Sequence, residues 1–402
     1  MRYTVDEVLD FVEQEDVKFI RLAFCDTFGR QKNVAILPSE LRRAFADGIS
    51  FDASAIRGFS SGAESDLLLY PIPSTLTTLP WRSFQGKVVR MFCDIRHPDG
   101  APFARDSRAI LSRAVRACEE KNIVVNFGSE YEFYLFETDE RGKPTRIPFD
   151  EAGYMDVSPD DRGEDIRREI CLLLAEMGIH PEASHHEEGP GQNEIDFRYS
   201  DALTAADNAL NFITVVKAAA IHNGLIADFS PKPLPGESGN GFHINISVKG
   251  DDGRELMSAF MAGIMEHIRE ITAFLNPIRE SYSRLGEKKA PKYISWSPEN
   301  RSQLIRVPAA RGENRRIELR SPDPMANPYI AYALLIHAGL DGIARGLELP
   351  PALELDLYTA SPEVLAKLDT LPSSLEEAVK LASESGFVAS VLPRGFAESL
   401  LS

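Results

Sequence analysis

The pattern of hydrophobic and polar positions divides the chain near residue 100. Before this point, VDEVLDFVEQE has the spacing of an amphipathic helix, and KFIRLAF, KNVAILP and KVVRMFCDI have strand composition. Gly100 and Pro102 then interrupt the pattern, and SRAILSRAVRACEEKN predicts a long helix. We therefore expect an N-terminal domain over residues 1–100 and a larger domain over residues 101–402.

The larger domain alternates helices with strands, which is the pattern of an α/β or α+β protein. The clearest predicted helices span residues 161–178, 201–223, 255–276, 326–346 and 374–386. The clearest predicted strands span residues 123–137, 192–199, 241–248, 301–308 and 315–321. Glycine and proline cluster in EEGPGQNE, SPKPLPGESGNG and SPDPMANP, and we expect these segments to be active-site loops between rigid elements.

One predicted strand carries two carboxylates. The segment GSEYEFYLFE has the composition of a buried strand, yet it contains Glu130 and Glu132. Alternate side chains of a strand share a face, so both carboxylates point the same way and oppose an apolar face. A buried carboxylate is unfavourable unless it is paired or binds a metal.

Three further strands show the same division between an apolar and a polar face. Their polar faces carry Glu194, Asp196 and Arg198; His243, Asn245 and Ser247; and Arg316, Glu318 and Arg320. In one interpretation these faces are solvated, as in half-exposed antiparallel sheets. In the other, helices cover the apolar faces and the polar faces converge on a central cavity.

The second interpretation predicts a site for divalent cations. The loop HHEEGPGQNE adds Glu187, seven residues before Glu194. Two divalent cations would offset most of the charge of the five glutamates, and carboxylate oxygens with a histidine nitrogen suit Mg²⁺ or Mn²⁺. The arginines of NRSQLIRVP and RRIELR would then face an anion, which is the arrangement expected for phosphoryl transfer. The sequence contains neither a P-loop nor a Rossmann fingerprint, so the nucleotide site would be of another kind.

Composition and charge limit the partners. The formal net charge of −17 disfavours binding to nucleic acid and to anionic membranes. We find no secretory signal, and no apolar run is long enough to span a bilayer. The four cysteines are scattered, without a C-x-x-C pair. These features predict a cytoplasmic protein with reduced thiols.

Six segments, in order along the chain, resemble bacterial type I glutamine synthetase. They are FDASAIRGF…ESDLLLYP, GSEYEFYLFE, HHEEGPGQNEIDFRY, SGNGFHINIS, NRSQLIRVP and RRIELRSPDPMANPYIAYALL. The resemblance implies an α+β fold with a small N-terminal β-grasp domain. It also implies a large catalytic α/β domain whose curved, mostly antiparallel sheet forms an open, barrel-like funnel.

The resemblance further implies a reaction and an assembly. The family ligates ammonia to the γ-carboxylate of L-glutamate through γ-glutamyl phosphate, with ATP as co-substrate and two or three Mg²⁺ or Mn²⁺ ions in each active site. The protein would form a homo-oligomeric ring, a hexamer or a dodecamer, with active sites between subunits. No nucleic-acid or membrane partner is implied.

The family motifs assign roles to individual residues. The first metal would be held by Glu132, Glu187 and Glu194, and the second by Glu130, His243 and Glu318. Glutamate binding would fall to Glu132, Gly239, His243, Arg284, Arg301 and Arg320, and ATP binding to Glu182, Tyr199, Ser247, Arg306 and Arg316. The catalytic set would be Arg301, Arg320, the flap residue Glu287 and Asp52 of the neighbouring subunit, which would help to bind ammonium.

The flap departs from the family pattern. The position at which the family carries a glutamate holds Lys289, and Glu287 lies two residues earlier. A lysine at this position would repel ammonium. Three explanations stay open: a shifted flap in which Glu287 acts; an organic amine, such as a polyamine, ethanolamine or methylamine, as the acceptor; or lost catalysis with a retained binding or structural role. In addition, Ser238 replaces the asparagine that precedes the glutamate-contacting glycine.

Overall fold

The first sheet is built from six strands within residues 17–96. The computed structural model describes residues 3–59, 65–82, 86–251, 255–287, 289–309, 312 and 315–401. The strands are β1 (Val17–Cys25), β2 (Gln31–Ile36), β3 (Ile49–Asp52), β4 (Asp66–Pro71), β5 (Thr77–Thr78) and β6 (Lys87–Arg96). Their order is β2-β1-β6-β4-β3, and β5 also pairs with β6. The central pair, β1 and β6, is parallel, and the other pairs are antiparallel.

Two helices accompany this sheet, although the sequence predicted only one. Helix α1 (Val5–Gln14) begins at a capping box, in which Thr4 and Glu7 satisfy each other's backbone N–H groups. Helix α2 (Leu41–Asp47) was missed because its seven residues form too short a periodic segment. Strands β1, β2 and β6 confirm three predicted strands, whereas β4 and the shorter strands β3 and β5 were not predicted.

The second sheet has nine strands and forms the framework of the larger part of the chain. The strands are β7 (Ile123–Thr138), β8 (Pro144–Pro148), β9 (Pro181–His186), β10 (Gln192–Asp201), β11 (Leu225–Asp228), β12 (Phe242–Gly250), β13 (Trp296–Pro298), β14 (Ile305–Val307) and β15 (Ile317–Leu319). Their order is β13-β14-β15-β12-β7-β10-β9, and β8 and β11 also pair with β7. All pairs are antiparallel except β13 with β14.

Helices cover the apolar side of this sheet. The described helices of this part of the chain are α3 (Ser107–Glu119), α4 (Glu164–Glu176), α5 (Ala202–His222), α6 (Met257–Leu275), α7 (Ser281–Arg284), α8 (Pro328–Arg345), α9 (Pro362–Leu365), α10 (Leu375–Glu384) and α11 (Gly386–Val391). Of these, α3, α4, α5 and α6 contact strands of the sheet directly, and α8, α10 and α11 pack against other helices. Phe127 of β7 stacks on Tyr332 of α8 with ring centroids 4.1 Å apart. Because the apolar faces are buried under helices, the polar faces of the central strands are left to line a cavity.

The predicted helices and strands of this region are present, but two strands are shorter than expected. The strands predicted over residues 301–308 and 315–321 are reduced to β14 and β15. The side chain of Asn300 accepts hydrogen bonds from the backbone N–H and the hydroxyl of Ser302, and this local turn replaces strand pairing. Among the described residues, no helix is long and apolar enough to cross a membrane.

Asn327, at the N-terminus of α8, ties the two parts of the chain together. Its side-chain amide lies 3.2 Å from the backbone oxygens of Asp26 and Thr27, while its carbonyl caps α8. The six-stranded sheet is complete before residue 97 and the nine-stranded sheet begins at residue 123. The exact domain boundary near residue 100 stays a prediction.

Candidate active site

Strand register brings the predicted acidic residues together. In the β7–β12 pair, His243 lies opposite Glu130, and in the β7–β10 pair, Glu194 lies opposite Glu132. Strand β15 adds Glu318, which lies opposite Asn245 of β12. Two carboxylates directly opposite each other in adjacent strands destabilise a sheet unless a cation lies between them.

These side chains form overlapping groups of possible metal donors. Glu130, His243 and Glu318 form one group, in which His243 Nδ1 lies 3.4 Å from Glu130 and 3.8 Å from Glu318. Glu132, Glu194 and His243 form another group, and Glu194 also groups with His185 and Glu187. The three residues predicted to hold the second metal, Glu130, His243 and Glu318, therefore form one group. The three predicted to hold the first metal are divided between two groups, which share Glu194. This arrangement excludes the interpretation in which the polar faces are merely solvated.

Burial and mutual repulsion raise the pKa values of three carboxylates in this cluster. Burial, followed by repulsion from Glu187, raises the pKa of Glu132 to about 7. Burial and the facing Glu132 raise the pKa of Glu194 well above its ordinary value. Burial and Glu130 raise the pKa of Asp196 to about 8. Oxygen donors that are buried side by side in this way fit divalent cations such as Mg²⁺ or Mn²⁺.

His243 is suited to act as a neutral donor. Burial, together with the positive charge of Arg320, lowers its pKa well below the ordinary value. A neutral imidazole keeps a free lone pair, which is the form that binds a metal.

Two buried arginines lie beside the carboxylates. Arg320 forms an ion pair with Glu318, and its Nε donates a hydrogen bond to the backbone oxygen of Arg301 at 3.1 Å. Arg284 donates from Nη1 to the backbone oxygen of Ser321 at 2.8 Å, and burial lowers its pKa. Arg306 holds the other oxygen of Glu318 at 2.6 Å. One predicted substrate arginine, Arg320, and one predicted phosphate arginine, Arg306, thus share the buried carboxylate of Glu318.

Two glycines allow the backbone to approach these groups. A Cβ atom at Gly239 would lie 2.4 Å from the backbone oxygen of Pro231, and one at Gly241 would lie 2.6 Å from His243 Nε2. The backbone N–H of Gly241 donates to Glu132 at 2.7 Å. Glycine is therefore required here for close approach rather than for an unusual backbone angle.

A cavity of about 630 Å³ opens next to the cluster. Its lining includes Glu182, Tyr199, Ser247 and Arg316, four of the five residues predicted to bind the nucleotide. The Nε of Arg316 donates to Asn245 Oδ1 at 2.9 Å, which holds its guanidinium at the cavity wall. The cavity also contacts Glu130 and Asp196, so it continues into the metal-donor cluster.

A buried ionic network supports the loop that carries Glu187. His186 contacts Asp150 at 2.8 Å through Nε2 and the backbone oxygen of Glu187 at 2.6 Å through Nδ1. Both partners are oxygen acceptors, so the ring donates from both nitrogens. Burial acts to lower the pKa of His186, but the hydrogen bond to Asp150 outweighs it and the pKa is raised. Asp150 also accepts the backbone N–H of Gly191 at 3.0 Å, which fixes the far end of the loop.

Asp150, Asp161 and His186 also have the spacing of metal donors, but an arginine already satisfies this group. Arg167 forms a two-pronged ion pair with Asp161 and donates to Asn193 Oδ1 at 2.5 Å. Because Asp161 is neutralised and Asp150 is paired with His186, the group is structural. The sequence analysis missed it since its members lie in separate loops and strands.

The two flap residues have different partners. Lys289 has a positive φ of 63° and its ammonium group lies 2.9 Å from Glu188. Glu287 instead faces outward, where its carboxylate is 60% exposed and lies 3.0 Å from Lys232. Asp52 is exposed and accepts hydrogen bonds from Ser54, which lower its pKa.

Taken together, the fold and the site define a metal-dependent enzyme that handles a nucleotide and a small anionic substrate. The donor cluster lies between the cavity and the buried arginines, which is the arrangement that phosphoryl transfer requires.

Comparisons with known proteins agree with this class. The family model "Glutamine synthetase, beta-Grasp domain" matches residues 16–98, and "Glutamine synthetase, catalytic domain" matches residues 104–402. The chain is 44% identical to a glutamine synthetase of Clostridium saccharobutylicum, over 96% of this chain and 90% of that protein. It is 43% identical to a glutamine synthetase of Methanosarcina mazei, over 97% and 90%.

Solved structures extend the likeness to three dimensions. A complex of GmaS with ADP is 29% identical, has a TM-score of 0.87 and covers 98% of this chain and 93% of its own. Plasmodium falciparum glutamine synthetase, at 23% identity, shares the fold with a TM-score of 0.88 over 100% and 95% of the two chains. The chain belongs to the glutamine synthetase family and is an ATP-dependent glutamate–ammonia or glutamate–amine ligase.

The predicted α+β fold, with its β-grasp domain and curled sheet, is confirmed. The roles of individual residues stay predictions. His185 and Asp196 belong to the donor groups of the structure, but neither was predicted to be a donor. Asp196 was visible as a neighbour of Glu194 on the same strand face, whereas nothing in the sequence pointed to Glu188 as the partner of Lys289.

Proposed function

We propose that this enzyme ligates ammonia to the γ-carboxylate of L-glutamate and converts ATP to ADP and phosphate. One observation carries the proposal. The donor groups that share His243 lie between the nucleotide-sized cavity and the arginine pair Arg284 and Arg320. The glutamine synthetases that are 43–44% identical to the chain support the same reaction.

The donor set fits two or three divalent cations. Mg²⁺ or Mn²⁺, when bound, supplies charge stabilisation for the transferring phosphoryl group. The residues that would hold the ions are Glu132, Glu187 and Glu194 on one side and Glu130, His243 and Glu318 on the other. The raised pKa values of Glu132 and Glu194 and the neutral imidazole of His243 describe donors that gain stability when cations offset the local negative charge.

ATP would enter the cavity beside β12. Glu182, Tyr199 and Ser247 would surround the nucleoside, while Arg316 and Arg306 would face its phosphates. Arg301 would complete this set from the turn before β14. The similarity to a GmaS chain that holds ADP supports nucleotide binding in this fold.

Glutamate would bind at the opposite end, where Arg320 and Arg284 would receive its carboxylates and Gly239 would allow backbone contact. The γ-carboxylate oxygen attacks the γ-phosphorus of ATP, and ADP departs. The neutral amine then attacks the acyl carbon of γ-glutamyl phosphate with its lone pair. Phosphate departs with the electron pair of the broken C–O bond, and the nitrogen releases one proton to solvent.

The active site would be shared between subunits of a hexameric or dodecameric ring. The exposed position of Asp52 supports this arrangement, because a neighbouring chain can reach it. Mixing inactive Asp52→Ala subunits with inactive Glu194→Gln subunits should restore part of the activity, since some sites would then contain both native residues. Absence of any restored activity after verified subunit exchange would contradict shared sites.

A small organic amine is the second candidate acceptor. Lys289 favours it because this lysine stands where the family has a carboxylate, whereas Glu287 lies outside and pairs with Lys232. Phosphate release should be measured with Mg²⁺, ATP and glutamate, using ammonium, methylamine, ethanolamine, putrescine and hydroxylamine in turn. The acceptor with the highest kcat/KM identifies the reaction, and the absence of product with every acceptor would refute the ligase assignment.

A further inference from the structure

Glu188 lies between the two positions at which the chain departs from the family pattern. Its Oε1 is 2.9 Å from Lys289 Nζ, and its Oε2 accepts a hydrogen bond from Ser238 Oγ at 3.2 Å. Its backbone N–H donates to Glu187 at 2.9 Å. Glu188 therefore contacts the flap and the glutamate end of the site through its carboxylate, and the edge of the donor cluster through its backbone N–H.

The ammonium group of Lys289 has a second contact. It lies over the ring of Tyr154, 4.7 Å from the ring centroid. The same ring meets His185 edge-on at 5.4 Å, and His185 lies 3.3 Å from Glu187. A carboxylate and an aromatic face that converge on one cation form a binding site for a primary ammonium group.

This cation site is open to exchange. The side chains of Lys289 and Glu188 are 41% and 39% exposed, and Tyr154 is 46% exposed. An ion pair with this exposure contributes little stability, so a dissolved cation can displace the lysine at small cost. The lysine is also long and flexible enough to swing outward while its backbone stays in place.

We propose that Glu188 and the ring of Tyr154 form the subsite for the ammonium group of the acceptor, and that Lys289 occupies this subsite until the acceptor arrives. The ligand class is ammonium or a small primary alkylammonium. Lys289 is then a resident competitor, and Glu188 supplies the negative charge that the flap position lacks. The inference rests on the proposed function, because it assigns the acceptor site of that reaction.

The test compares Glu188→Gln and Lys289→Met by steady-state kinetics at saturating ATP and glutamate. Glu188→Gln should raise the KM for the acceptor by about two- to five-fold, because one exposed ionic contact to the ammonium group is lost. Lys289→Met should lower the same KM by about two- to five-fold, because an exposed competing ion pair is removed. The KM values for ATP and glutamate should stay unchanged in both variants.

Glu348 and Lys367 are exposed and distant in the sequence from Glu188 and Lys289, so Glu348→Gln and Lys367→Met are matched controls. These variants should leave every constant unchanged. If neither Glu188→Gln nor Lys289→Met shifts the acceptor KM, or if Lys289→Met raises it, the subsite is overturned while the ligase function stands. If the wild-type chain yields no product with any acceptor, the ligase function fails instead.

A binding measurement tests the ammonium subsite independently of catalytic activity. Equilibrium dialysis of labelled methylammonium should show binding to the wild-type protein with glutamate, ADP and Mg²⁺ present. Loss of this binding in Glu188→Gln, with tighter binding in Lys289→Met, would support the subsite. Equal binding in all three proteins would overturn it.

Discussion

The substitution Glu194→Gln should change stability in opposite directions with and without metal. Glu194 belongs to three donor groups, it is 8% exposed, and it faces Glu132 across the β7–β10 pair. Glutamine has nearly the same shape but no charge. The variant therefore removes a repulsion from the metal-free protein and a ligand from the metal-bound protein.

The expected magnitudes follow from these two roles. Relief of one like-charge pair across adjacent strands contributes about 0.2–1 kcal/mol, so the metal-free variant should be at least as stable as the wild type. A cation at 100 times its Kd stabilises the native wild-type protein by about 2.7 kcal/mol. A variant whose affinity falls about 100-fold would lose most of this stabilisation, which corresponds to roughly 3 °C in Tm for a chain of 402 residues.

Differential scanning fluorimetry, with EDTA and then with a Mn²⁺ titration, measures both effects. The wild type and the Glu348→Gln control should show a rising Tm as Mn²⁺ is added. Glu194→Gln should show a flat profile from an equal or higher starting point. If the variant instead lowers the Tm equally with and without Mn²⁺, Glu194 is only a packing residue and the metal assignment is wrong.

Three other substitutions test separate parts of the site. Ser247→Phe should raise the KM for ATP about ten-fold, because the larger side chain would occupy part of the cavity, and the KM for glutamate should stay unchanged. Equal changes in both KM values would contradict the assignment of the cavity to ATP. Gly241→Ala should destabilise the fold by about 1–3 kcal/mol and weaken Mn²⁺ binding, because the new Cβ would lie 2.6 Å from His243 Nε2. Calorimetry measures both effects, and an unchanged Mn²⁺ affinity would refute the predicted contact. Asp150→Asn should weaken Mn²⁺ binding about 10- to 100-fold, because Asp150 orients His186, which in turn holds the loop that carries Glu187. Mn²⁺ electron paramagnetic resonance measures this affinity, and an unchanged value would show that the network contributes to stability alone.

The sequence predicted the central strands well because their alternation is strong. Glu130 and Glu132 interrupt an otherwise apolar strand, and this pattern left two interpretations, a solvated polar face or a cavity with metal donors. Their position in β7 confirms the predicted strand. Short elements were harder to predict, since β3, β5 and α2 contain too few residues to establish a period.

The candidate site was only partly predictable for a related reason. Residues on the same strand face as a predicted ligand, such as Asp196 beside Glu194, could be found from period-two spacing. The partners of His186 and Lys289 could not, because Asp150 and Glu188 are brought to them by loops whose paths depend on tertiary packing. The outward orientation of Glu287 was likewise invisible in the sequence.

The sequence by itself determined which side chains share a strand face, because that depends only on the alternation of the backbone. It also determined the kind of chemistry, because glutamate, histidine and arginine on those faces define the possible ligands. Tertiary structure decided the rest. The register of β7 against β10 and β12 sets which carboxylate meets which, and long-range hydrogen bonds and close packing fix that register rather than any local propensity.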